Sequence, residues 1–321
     1  MFIEVLRVYR HAVRHVLRER VNLWLTYHTY YKAPDLLGPN VSKRTNIPYI
    51  IFQGIYSTKR RRKLKTWPGF GLNQVALKNA RHIFTNRRED WDNLKRFVPQ
   101  DRISYVRPGI HTDDFYFDAD ARKQIRQSLG VEAEVVILAV AMFRSDVKTK
   151  GLTFLIRSCG RLIKEGLRFK LVIAGDGKER RYLEQLAKKH LGASVHFVGR
   201  IKRADMFRYY SASDLFAFPG IRESLGMVYL ESQSCGLPVI AFRNGGIPEV
   251  VKDNTTGFLT PVHEQDAFDS AIRRLVTDSD LRHLMGKAAS AYVRSWHQLN
   301  SNYDAVETTL LTIAGANKHA G

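Results

Sequence analysis

FPGIRESLGMVYLESQSCGLPVIAFRNGGIPEVVKDNTTGFL, residues 218–259, is the stretch whose reading decides the fold of this 321-residue chain. Glu223 falls in a loop after an apolar strand expected at 215–218. Glu231, with seven residues between, falls inside the short helix that follows. That helix is otherwise Leu225, Met227, Val228, Tyr229 and Leu230, and a carboxylate in such company is costly unless something polar meets it. A sugar hydroxyl would do so. The loop at Arg222 to Gly226 enters the helix, where free backbone N–H groups form an anion site. Gly226 lets other backbone approach closely. Together these features suit a diphosphate.

Outward from this stretch, strands and helices alternate. Apolar strands are expected at 135–140, 171–174, 195–198 and 238–242, with helices at 152–164 and about 178–190 between them. Such runs argue for a parallel sheet covered on both faces. Before them, Pro108 to Asp120 reads as a connection between domains. The first part repeats the alternation, with strands at 23–27, 47–52, 83–85 and 103–106 and helices at 2–20, 73–80 and 88–97. The fold class is therefore α/β, in two Rossmann-like domains. No Walker motif and no GxGxxG opens either half.

Composition is globular, 44% hydrophobic and 26% charged. The net charge is +20, and residues 1–117 carry +13 of it, 22 Lys+Arg against 9 Asp+Glu. A basic half implies an anionic partner, and a membrane surface, an acidic polymer and a nucleic acid are the classes to weigh. Arg7, Arg10, Arg14 and Arg18 lie on one side of the first helix, and Lys59-Arg60-Arg61-Arg62-Lys63 adds a basic run. Both read either as solvated charge or as a membrane-surface patch, and the 59–63 run also as a contact for an anionic acceptor. No nucleic-acid motif appears, so a basic nucleic-acid-binding protein is the weaker alternative. Cys159 and Cys235 lack metal-ligand spacing and read as reduced core residues, consistent with a cytoplasmic setting. No metal site is visible. VAMFRSDVKTKG, residues 140–151, places Arg144 and Lys150 after a strand, where positive charge would stabilise a departing diphosphate. His28 stands at a strand end in YHTYYKAPD, where a substrate contact and a structural histidine are equally compatible readings.

The segment 218–259, with the CGLPVIA strand and the GGIPEVV loop, closely resembles the donor-binding signature of retaining nucleotide-sugar glycosyltransferases of family 4, with the GT-B fold. Arg144 with Lys150-Gly151 matches that family's basic pair, at a slightly longer spacing and with Lys148 as a competitor. The resemblance is strong from Tyr105 to about Pro261 and weaker before it. It implies an N-terminal acceptor-side domain (1–117), a C-terminal nucleotide-sugar-binding domain (118–294) and a tail (295–321), with a cleft between the domains. A last helix around Tyr292 to Ile313 would cross back to the first domain. The first βα units of that domain are expected to be missing.

The resemblance further implies a role for each site residue. Glu223 contacts the transferred sugar, with Arg144, Lys150 and His28 as the other catalytic candidates. Gly199, Arg200 and Ile201 meet the base. The N–H groups near Gly226, Met227 and Val228 face the phosphates, Ser224 and Leu225 are further donor-binding candidates, and Glu231 accepts bonds from the ribose. The implied reaction is hexosyl transfer from a nucleoside-diphosphate sugar to a hydroxyl of a glycan or lipid-linked acceptor of the cell-envelope polysaccharide type, with retention and with neither cofactor nor metal. The implied location is cytoplasmic, peripheral on the inner face of the membrane. A sugar-nucleotide-binding but catalytically impaired subunit is the alternative.

Overall fold

A computed structural model describes residues 2–58 and 64–318. The basic run at 59–63 lies outside the described residues. The chain divides into two compact units, the first ending at Arg107 and resuming at Ser301, the second running from Pro108 to Asn300.

The first unit contains α1 (Phe2–Arg18), β1 (Trp24–Thr29), α2 (Gly38–Thr45), β2 (Tyr49–Gly54), α3 (Trp67–Asn79), β3 (His82–Thr85), α4 (Arg88–Lys95) and β4 (Ile103–Tyr105). Its sheet is parallel in the order β1-β2-β3-β4. Every residue of β2 is buried, as a parallel strand covered on both faces requires. Ile51 and Ile83 pack with Leu77 of α3. Ile50, Phe52 and Phe84 pack on the other side with Val306, from the far end of the chain. β1 lies at the edge, with Leu25 and Tyr27 exposed.

The second unit contains α5 (Ala119–Ser128), β5 (Val135–Val140), α6 (Val147–Lys164), β6 (Phe169–Ala174), α7 (Arg180–Leu191), β7 (Val195–Gly199), α8 (Met206–Ala212) and β8 (Leu215–Ala217). It continues with α9 (Met227–Ser234), β9 (Val239–Phe242), α10 (Ile247–Val250), β10 (Gly257–Thr260), α11 (Gln265–Thr277) and α12 (Ser279–Trp296). The six strands are parallel in the order β10-β9-β8-β5-β6-β7. β5 therefore sits where the strand order reverses, with β8 on one side and β6 on the other. In an open α/β sheet, the carboxyl ends of the strands at that point form a ligand crevice.

The single helix expected around 292–313 is two helices, because α12 stops at Trp296 and α13 runs Leu299–Lys318. The break has a local cause. The His297 carbonyl accepts from the Ile110 N–H at 2.9 Å, and the Leu299 N–H donates to the Ile110 carbonyl at 2.9 Å. These groups are thereby withdrawn from a continuous helical ladder. Buried His297 also places Nδ1 2.6 Å from the Pro108 carbonyl oxygen. The units divide after Arg107 and after Asn300, where the sequence reading placed edges at 117/118 and 294/295. Residues 108–117 already belong to the second unit's core through Ile110 and Phe115.

Candidate functional site

A cavity of about 990 Å³ opens at the strand-order reversal of the second unit. Its walls come from the carboxyl ends of β5 (Val140 to Met142) and β6 (Ala174 to Gly177), from Arg200 and Ile201 after β7, and from the loop Glu223 to Gly226 leading into α9. Met142 and Met206 add apolar surface.

The loop before α9 is held in place by the glycine-rich turn after β9. The Gly246 N–H donates to the Glu223 carbonyl at 3.2 Å, and the Asn244 side-chain amide donates to the Gly220 carbonyl at 3.3 Å. A Cβ built on Gly245 would overlap the Glu223 carbonyl oxygen, and one on Gly246 would overlap that of Ser224. Gly226 caps α9 with φ +68°, a left-handed conformation that glycine adopts at little cost. The Tyr229 N–H returns to the Gly226 carbonyl at 2.9 Å. Met227 and Val228 thus occupy the first helical positions, where backbone N–H groups have no intrahelical acceptor, and both line the cavity.

Lys148 and Glu223 form an ion pair across the cavity floor, with side chains only 21% and 15% exposed. The Lys148 ammonium also lies 5.5 Å from the centre of the Phe218 ring. Arg144 lines the cavity too, largely exposed and 3.3 Å from Asp146. Lys150, which the sequence reading paired with Arg144, does not line the cavity and is exposed. The correction follows from the start of α6. Asp146 caps that helix by accepting from the Lys148 N–H at 2.8 Å, so both lysines are helical. Two residues along a helix turn a side chain by about 200°, so one lysine faces the cavity and the other faces away from it.

Glu231 is buried at 7% exposure behind the cavity wall and does not line it. Its carboxylate accepts from the Tyr210 hydroxyl at 3.0 Å and lies 3.3 Å from the Arg203 guanidinium. The polar partner that an apolar helix demanded is thus supplied from α8 and the loop before it. Burial pushes the Glu231 carboxyl above its ordinary range, opposed by Arg203 and the Tyr210 hydroxyl. The raised value means that the folded state holds this proton more firmly than the unfolded chain does. Stability therefore falls as pH rises from the ordinary value of 4.5 through the raised one, and the loss is complete above it. Glu231→Gln removes that loss. Its melting temperature at neutral pH should equal or exceed that of the parent, with the difference shrinking below pH 4.5. A variant that melts lower at neutral pH contradicts this.

The cavity thus gathers Arg144, Arg200, Ile201, Glu223, Ser224, Leu225, Gly226, Met227 and Val228 from the sequence candidates. Gly199 adjoins it, its carbonyl accepting from the Gly175 N–H at 2.8 Å. His28 belongs to the other unit, near the carboxyl end of β1, with φ 64°. Met206 also lines the cavity without being a sequence candidate, and Lys148 is a candidate only as a competitor to Lys150. Among the described residues, no group of three or more His, Cys, Asp and Glu is placed to hold a metal ion.

Residues 121–292 match the family described as glycosyl transferases group 1. A D-inositol 3-phosphate glycosyltransferase of Saccharomonospora viridis is 31% identical over 243 residues, covering 71% of this chain and 55% of that protein. A GDP-mannose-dependent alpha-(1-6)-phosphatidylinositol monomannoside mannosyltransferase of Mycolicibacterium smegmatis is 33% identical over 201 residues, covering 60% and 52%. The chain spans about half the length of the curated relatives it matches. Among solved structures, Anabaena Alr3699/HepE in complex with UDP superposes with a TM-score of 0.78 at 21% identity, covering 96% of this chain and 82% of that one. WaaG, a glycosyltransferase involved in lipopolysaccharide biosynthesis, gives 0.67 at 19%, covering 92% and 80%. These likenesses show the fold, two parallel-sheet units of the GT-B kind.

Proposed function

Because the chain belongs to the glycosyl transferases group 1 family, we propose that it transfers a hexose-type sugar from a nucleoside diphosphate to a hydroxyl acceptor, with retention at the anomeric carbon. One observation carries this reading: a cavity at the strand-order reversal that brings Lys148, Glu223 and the N-terminus of α9 together. The diphosphate accepts from the Met227 and Val228 N–H groups and is neutralised by Lys148 and Arg144. The helix dipole and the two cations favour the same charge, which grows as the glycosidic bond breaks. Glu223 exchanges its bond to Lys148 for one to the sugar. Glu231 lies behind the wall, and its pairing with Arg203 has to open for its carboxylate to reach the ribose hydroxyls. Arg200 and Ile201 lie against the base, and no metal ion is required. The bond from the anomeric carbon to the phosphate oxygen breaks and the acceptor oxygen bonds on the same face. The acceptor proton passes to the leaving phosphate oxygen. The UDP bound by the Anabaena relative supports a nucleotide donor.

His28 is proposed as a contact on the acceptor side. It and Gln53 stand near the carboxyl ends of adjacent strands with φ 64° and 67°. Such strained positions in non-glycine residues cluster where substrates bind. The relatives that act on an inositol phosphate and on a phosphatidylinositol mannoside suggest an acceptor bearing phosphate or lipid. The test is transfer from a panel of nucleotide sugars, with the anomeric configuration of the product read by NMR. Retained configuration is expected. Inversion overturns the retaining assignment, and nucleotide binding without turnover favours the impaired subunit.

The first unit is further proposed to dock on an anionic membrane surface. Arg7, Arg10, Arg14 and Arg18 of α1 are exposed, as are Leu6, Val8 and Leu17. No described helix is long and apolar enough to cross a membrane. Each basic residue near such a surface contributes about 1 kcal/mol, screened by salt. Co-sedimentation with phosphatidylserine vesicles should be strong at low salt and weak at high salt. Equal partition with neutral and anionic vesicles removes the idea.

A further inference from the structure

The second unit holds another cavity, of about 650 Å³, at the amino-terminal edge of its sheet, lined in part by Asp214 before β8 and Leu237 before β9. One wall is a face of α12, where Arg282, His283, Lys287, Ser290 and Arg294 recur at spacings that bring them to one side of a helix. That helix is fixed at backbone distance from the turn after α9, since a Cβ on Gly286 would overlap the Gly236 carbonyl oxygen.

The charge here is one-sided. Asp214 is the only carboxylate in the lining. It is matched twice over, by Arg122 at 2.7 Å and Arg126 at 3.1 Å, and it also accepts from the Val136 N–H at 2.7 Å. Arg282 donates from one nitrogen to the carbonyls of Leu275 and Val276, which leaves the rest of its fork. Arg294 donates to the Ser290 hydroxyl at 3.4 Å, its one hydrogen bond among the described residues. Among the described residues, no carboxylate pairs with Arg282, His283, Lys287 or Arg294. Cations gathered around a concavity without counter-charge focus a positive potential into it. Arginine forks with a lysine suit the oxygens of a phosphate. The cavity is of a size that takes a small molecule. Ser213, Ser234 and Ser290 donate to backbone carbonyls, so the surface offered to a hydroxylated ring is Ser279 with the exposed Tyr116–Phe117 rim.

We infer that this second cavity binds a soluble phosphomonoester of a sugar or polyol, its phosphate held by the basic face of α12. The site stands apart from the first cavity and does not rest on the transferase reading. A physical connection nevertheless exists, because Met227 and Val228 of α9 line the first cavity while Ser234, at its other end, lines the second.

Calorimetric titration of the full chain tests the inference, with glucose 6-phosphate as the probe and glucose and inorganic phosphate as controls. Glucose 6-phosphate should bind at one site, more tightly than inorganic phosphate, and glucose should not bind. Lys287→Gln/Arg294→Gln should weaken the probe by roughly tenfold or more, the expected loss of charge-assisted bonds. Lys148→Ala, in the first cavity, should leave it unchanged. Both α12 substitutions are at exposed positions, and His283→Gln/Lys287→Gln serves as a second variant if the first melts early. Absence of binding, equal affinity in the α12 variants, loss in Lys148→Ala, or glucose binding as tightly as its phosphate would each overturn the inference.

Discussion

Lys148→Ala should lower sugar transfer by about 100- to 1000-fold, the loss seen when one preorganised charge-stabilising group is removed from an active site. Lys148 is the half-buried cation of the first cavity, with 21% of its side chain exposed, and its ammonium pairs with Glu223. Without it, Glu223, at 15% exposure, loses the ammonium that pairs with it, so the donor site loses both positive charge and the orientation of its carboxylate. Lys150→Ala, two residues on and exposed, should change transfer by less than about threefold, as surface substitutions do. Steady-state rates of the two variants check this, and an equal loss in both removes the assignment of Lys148.

The second large effect is expected from a residue that carries no side chain at all. Gly246→Ala would drive a methyl group into the Ser224 carbonyl oxygen and displace the loop from Glu223 to Gly226. A shift of about 1 Å in a positioning element costs on the order of 100-fold in rate. Nucleotide affinity should fall as well, because the same loop leads into the N–H groups that begin α9. Gly71→Ala is the matched control. It lies in α3, where an added Cβ meets nothing within 4 Å, so it should be neutral or stabilise by up to about 1 kcal/mol. Rates and melting temperatures of the pair decide. Full activity in Gly246→Ala would show that the turn does not set the loop.

How far the sequence could be read depends on the range of the cause. β5, VVILAV, is an unbroken apolar run, and its burial on both faces follows from that alone. The loop and helix from Glu223 to Glu231 are equally local, and so was the need for a polar partner at Glu231. The identity of that partner was not legible. Tyr210 and Arg203 lie 21 and 28 positions earlier and meet Glu231 only once α8 packs on α9. The choice between Lys148 and Lys150 turned on where α6 begins. Its cap at Asp146 precedes the apolar periodicity by several residues, so a start at 152 left both lysines in a loop. β10, the four residues GFLT, was too short to stand out and is a strand because β9 pairs with it. The break between α12 and α13 is set by pairing with Ile110, nearly two hundred residues away, which no local pattern encodes.

The central claim is that the cavity at the carboxyl edge of the second unit holds a nucleoside diphosphate through its own cations and the N-terminus of α9. Calorimetric titration with UDP, GDP and ADP, each with and without EDTA, tests it most directly, in the parent chain and in Lys148→Ala. At least one nucleotide should bind, with affinity unchanged by the chelator and reduced in the variant by roughly tenfold or more. Failure of all three to bind, or binding that EDTA abolishes and a divalent ion restores, would contradict it.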